Sequence, residues 1–194
     1  MKTLIYWRHS VKGSGNHSAD IMQAGLDATA ATVAKVHQSN GWMVNHFFAG
    51  PLKRTWQTMV AIMLQLLQSG YSFDRHYFLH EEIDEVGTQG LFDLWTRDAG
   101  VKFGAGRTNF QALQQDLKHD YFPLALEGAL GGVMKMMAIM SDGETGLAVG
   151  HSPIIELAAH AAGLDMANAP QLMENEFIVF EQHDDGHITA SYPS

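Results

Sequence analysis

The 194-residue chain contains no cysteine. That excludes a disulfide framework, a thiolate metal site and a cysteine nucleophile, and it fits a reducing compartment, so a cytoplasmic location is expected. Basic residues are scarce: 12 Lys plus Arg stand against 21 Asp plus Glu, a formal net charge of −9. With no basic cluster to track a phosphate backbone, no nucleic-acid partner is expected. No stretch attains the uninterrupted apolarity of a membrane span. The apolar start at residues 4–7 is cut short by Arg8-His9 and followed by no small-residue cleavage site, so neither a membrane partner nor a signal peptide is expected. Charged residues make up only 17% against 46% hydrophobic, which places the chain among globular rather than disordered proteins. Its length suits one domain over residues 1–194. Among so few cations, the five arginines (Arg8, Arg54, Arg75, Arg97 and Arg107) require explanation.

Residues 2–7 form a β-favouring run without helical period and predict a buried first strand. After a Gly/Ser-rich loop, Met22, Leu26, Val33 and Val36 recur at helical spacing, with Gly41 as a stop. Residues 43–48 predict a second strand. Pro51 then suits a helix's first turn, with Trp56, Val60, Met63 and Leu67 on one face until Gly70. Residues 77–80 predict a third strand and 92–95 a short helix. Phe110, Leu113 and Leu117 fit one helix. Leu126, Leu130, Val133, Met137 and Met140 fit another, weakened by Gly131-Gly132. Residues 146–150 predict a strand, and 153–163 a helix with Ser152 as N-cap. Residues 177–182, the Asp185-Gly186 turn and residues 188–192 predict a terminal hairpin. Strands alternating with helices indicate an α/β fold: a three-layer α/β/α sandwich with a mainly parallel sheet and an antiparallel edge strand.

Three strand ends deliver functional groups: Arg8-His9, then Arg54 just beyond Gly50-Pro51, then Gly150-His151. Ligands of open α/β sheets bind beyond the carboxyl ends of strands, so these groups are expected to converge there. Trp7-Arg8-His9-Ser10 resembles the Arg-His-Gly signature of the histidine phosphatase superfamily, the phosphoglycerate-mutase-like fold. Gly50-Pro51-Leu52-Lys53-Arg54-Thr55-Trp56-Gln57-Thr58 is similar to that family's second motif, and Val149-Gly150-His151-Ser152-Pro153 to its third. Ser10 stands where the family has glycine, adding a side chain where backbone passes close to phosphate. Gly50 stands where it has serine.

The resemblance implies a phosphatase with no metal and no cofactor, acting on a phosphorylated small molecule or phosphoprotein through a phosphohistidine. His9 is its nucleophile, attacking through an imidazole lone pair. Arg8, Arg54 and a protonated His151 bind the phosphoryl oxygens, a task suited to the planar guanidinium fork. The family's proton donor follows the third strand, where His80-Glu81-Glu82-Ile83-Asp84-Glu85 lies; Glu82 matches best, with Glu81 and Glu85 open. Motif spacing is closest to the small bacterial phosphohistidine-type phosphatases. A mutase-type phosphotransferase and a catalytically weak phospholigand-binding module are the alternatives. Lys12, Lys53 and Asn16 are weaker candidates for outer substrate contacts. The acidic run after His80 lacks the second histidine of a zinc-hydrolase motif. His183 and His187 read as a solvated turn, and His46 as structural.

Overall fold

The computed structural model describes the chain apart from residues 12–20, 41–42, 72–77, 81–95, 98, 105, 118–119 and 194, and apart from the side chains of 37–40 and 78–80. The predicted helix at 92–95 lies outside the described residues. Strand β1 (Lys2–Arg8) runs at the centre of a six-stranded sheet with β2 (His46–Ala49), β3 (Phe78–His80), β4 (Thr145–Gly150), β5 (Phe177–Gln182) and β6 (Ile188–Ser191), in the order β3-β2-β4-β1-β5-β6. The first four of these neighbours are parallel. The closing hairpin brings β5 antiparallel against β1 and β6 antiparallel against β5.

Successive strand residues point to opposite faces, and here both faces are covered. Leu4 and Tyr6 of β1, Phe48, Ala148 and Phe180 enter one core with α3 (Asn109–Asp116), α4 (Tyr121–Ile139) and α5 (Ile154–Ala161). Ile5 and Trp7, with Phe47, Leu147, Val149 and Phe177, enter the other with α1 (Gln23–Asn40) and α2 (Lys53–Gln68). This is the expected three-layer sandwich. The continuous apolar runs of β1 and β4 are what a strand buried on two sides requires.

Several local expectations are corrected. Met43 is 71% exposed and precedes β2, which starts at His46. Helix α2 is rotated from its apolar stripe: Arg54, Thr55, Thr58, Met59, Ile62 and Leu66 are buried, while Val60, Leu64 and Leu67 are about half exposed. Leaving three aliphatic side chains half in water forgoes roughly 1 kcal/mol each. That cost is set against burying Arg54 and Thr58 beside the strand ends. Ser152 does not cap α5; its hydroxyl donates to the Glu156 carboxylate instead, and Pro153 occupies the cap position. Gly131 and Gly132 do not break α4, and Gly132 is buried in the packing. By length and composition alone α4 could cross a membrane. In this fold, Ala125, Ala129, Val133, Met136 and Met137 seat it in the core.

Candidate active site

Because β1, β4 and β2 run in one direction, their carboxyl ends share an edge. Arg8 is the register partner of Gly150, and Ala49 that of Val149. The ladder continues past the strands: the His9 N–H donates to the Gly150 carbonyl at 3.0 Å and the Gly50 N–H to the Val149 carbonyl at 2.9 Å. His9 and His151 therefore leave adjacent strands side by side, with ring centroids 5.0 Å apart. Both are more than nine-tenths buried, as is Arg54 from the first turn of α2. The positive end of that 16-residue helix, with no acidic residue in its first turn, adds to the local potential.

The His9 Nδ1 lies 2.7 Å from the Ser10 carbonyl oxygen. A carbonyl only accepts, so Nδ1 carries the proton and Nε2 holds the lone pair. Burial pushes the His9 pKa down to about 3, and the charges of His151, Arg54 and Arg8 push the same way against the Ser10 bond. The ring is neutral at physiological pH. Arg8, at the end of β1, donates to Glu174 Oε1 at 3.0 Å and to the Leu172 carbonyl, while its buried Nε–H finds no hydrogen-bond acceptor among the described residues. The structure thus brings together Arg8, His9, Arg54 and His151. Glu81, Glu82 and Glu85 lie outside the described residues, as do Lys12 and Asn16.

No sequence-family model matches the chain, and no curated protein matches it in sequence. Solved structures do match. The protein histidine phosphatase SixA complexed with tungstate aligns over 98% of this chain and 94% of that one, with TM-score 0.57 and 12% identity. Phosphoserine phosphatase from Entamoeba histolytica, in complex with 3-phosphoglyceric acid, aligns over 100% and 98% with TM-score 0.58 and 16% identity. Phosphoglycerate mutase from Bacillus anthracis aligns over 98% and 92% with TM-score 0.56 and 17% identity. The chain has the histidine phosphatase fold.

Within this histidine phosphatase fold, two differences from the family motifs acquire a local explanation. Ser10 is fully buried, and its hydroxyl donates to the Gly25 carbonyl at 2.7 Å, so its side chain is held by α1. At Gly50 the backbone turns into α2, with the Thr55 hydroxyl folded back on the Gly50 and Leu52 carbonyls.

Sequence reasoning missed three residues around the centre. Glu174 holds Arg8 from 166 positions away, with no motif to signal it. Thr58 accepts the Ser10 N–H at 3.0 Å and donates to the Arg54 carbonyl at 2.8 Å, tying two motifs together. Glu156 is 1% exposed, and burial raises its pKa to about 7 against the Ser152 bond and the Arg8 charge. Its signal was a lone carboxylate inside Ile154-Ile155-Glu156-Leu157. His46 is structural, its Nε2 2.9 Å from Glu144. Lys53 lines an apolar groove of about 630 Å³ between α1 and α2, to which none of the four basic residues contributes.

Proposed function

We propose that this protein is a metal-independent phosphatase acting on a phosphate monoester or a phosphorylated residue through a phosphohistidine, as one cytoplasmic domain. The observation that carries the reading is the His9 ring: buried, neutral, protonated on Nδ1 by its bond to Ser10, and 5.0 Å from His151. Its Nε2 lone pair attacks phosphorus as the ester P–O bond breaks, and the leaving alkoxide takes a proton from an acid, which we assign to Glu82 with Glu81 and Glu85 as alternates. Water then attacks the phosphohistidine, giving a proton back to that carboxylate as the N–P bond breaks, which releases phosphate and restores neutral His9 and the acid. Arg54, His151 and the Nε–H of Arg8, which has no acceptor among the described residues, supply donors for the phosphoryl oxygens. The two guanidinium groups, with the His151 ring beside them, gather the positive charge and donors that the phosphoryl oxygens require. A solved neighbour of the same fold holds tungstate, a tetrahedral oxyanion, which supports the substrate class but not a particular substrate.

The test is hydrolysis of an aryl phosphate in excess chelator. Wild type should turn over and form a phosphoenzyme that survives an alkaline denaturing quench and is lost in acid, as an N–P bond is, and His9→Ala should do neither. Arg54→Ala should lower kcat by about 10²–10³, the roughly 3–4 kcal/mol of a lost transition-state donor. Activity abolished by chelator, or retained in His9→Ala, would sink the proposal. Tight phosphate binding without turnover would favour the binding module, and transfer to a substrate hydroxyl rather than water would favour the mutase.

A further inference from the structure

The Ser10 hydroxyl belongs to a buried polar network that reaches three parts of the chain. It donates to the Gly25 carbonyl of α1 and accepts from Asn175 Nδ2 at 3.2 Å. The Thr29 hydroxyl lies 2.8 Å from both the Gly25 carbonyl and Asn175 Oδ1, and its single proton serves one of them at a time. Ser10 and Thr29 are fully buried and Asn175 is 7% exposed. Such a network is enforced, because an unsatisfied member would carry its full desolvation penalty. Space for it is reserved at Gly25, where a Cβ would lie 2.7 Å from Ser10 Oγ and 2.7 Å from the Val11 carbonyl oxygen.

Asn175 is also the described non-glycine residue with positive φ, at 64°, a conformation that asparagine tolerates better than most. Its N–H donates to the Arg8 carbonyl at 3.3 Å, and the Arg8 N–H donates to the Glu176 carbonyl at 2.9 Å. The neighbouring Glu174 grips the Arg8 guanidinium. One turn therefore fastens Arg8 by backbone and side chain, and by way of Asn175 fastens Ser10.

We infer that Ser10, Thr29 and Asn175 are positioning residues: a buried yoke that presses the Ser10 carbonyl onto His9 Nδ1 and so presents Nε2 to phosphorus. The inference rests on the reading of His9 as nucleophile. It gives the hydroxyl at position 10 a task that a glycine there could not perform, and the Ser10 N–H bond to Thr58 extends the yoke to the helix carrying Arg54. Among the described residues the charged and titratable groups facing His9 are Arg8 on β1, Arg54 on α2 and His151 after β4, and the yoke touches the first two through backbone.

The experiment compares wild type with Asn175→Gly, which keeps the left-handed backbone but loses the side chain, with Ser10→Ala, and with the double variant. Nitrogen-15 NMR of the imidazoles should show a single Nδ1–H tautomer for His9 in wild type and a mixture in each variant. On aryl phosphate, kcat should fall about 10- to 100-fold, as for a displaced reacting group, with KM within about threefold. The acid limb of kcat should move up toward the ordinary imidazole value near 6.5, because loosening the carbonyl admits water and relieves the burial that dominates. The double variant should cost no more than the worse single, the mark of residues acting as one unit. Folded variants that lose thermal stability yet keep the wild-type tautomer, kcat and pH profile would overturn the inference. A wild type without turnover overturns the phosphatase reading instead, and the tautomer comparison still decides the yoke.

Discussion

Glu156→Gln isolates the buried carboxyl in the first turn of α5. Glu156 sits in the first turn of α5 between Ile155 and Leu157, with Oε1 accepting from Ser152 and Oε2 without a hydrogen-bond partner among the described residues. Burial raises its pKa from 4.5 to about 7. The folded chain thus holds this proton more tightly than the unfolded chain. Its contribution to stability is fully present below about pH 4.5 and is lost as pH rises to about 7. At about 1.36 kcal/mol per pKa unit the loss is about 3 kcal/mol. Glutamine keeps an acceptor for Ser152 and cannot ionise. The variant should match wild type within about 1 kcal/mol at low pH and exceed it by up to about 3 kcal/mol above neutrality. His9 runs the other way: its depressed pKa makes stability grow as pH rises from about 3 to 6.5. Both proteins share that slope, so it cancels in their difference. Urea unfolding followed by tryptophan fluorescence from pH 5 to 8 measures the difference directly. A difference that stays flat across that range refutes the reasoning.

Two further outcomes follow from the same centre. An NMR titration should leave the His9 ring neutral from pH 5 to 8, with the assignment made by His9→Ala; a midpoint near the ordinary value of 6.5 would contradict its burial. Gly150→Ala should lower Tm by an amount corresponding to about 1–3 kcal/mol of overpacking, since its Cβ would land 2.6 Å from the Tyr6 ring. An unchanged Tm would show that Tyr6, 1% exposed, moves aside without cost.

The strands were legible because burial on both faces leaves an apolar run that needs no period, as in β1 and β4. The motif residues were legible because each stands where such a run ends. Helix α2 misled because its buried face carries Arg54, Thr55 and Thr58, turned inward for the site, so the apolar stripe at Val60 and Leu67 points outward. Periodicity reports hydrophobic burial and is blind to a buried face that is partly polar. Ser152 looked like a cap because capping residues announce themselves by type, yet its hydroxyl had a stronger claimant four residues on in Glu156. Glu174 and Asn175 carry no local pattern at all. Their meaning arises only when the turn before β5 folds against the end of β1, a contact no window of sequence contains.

The spacing of the two imidazoles is inherited from the ladder. Arg8 and Gly150 are cross-strand partners, so the rings that follow start about 4.8 Å apart, the pitch of any sheet. A separation set by backbone pairing is laid down before either side chain chooses a rotamer. Any substitution that leaves this pairing intact therefore leaves the two ring origins in gauge, whatever side chains surround them.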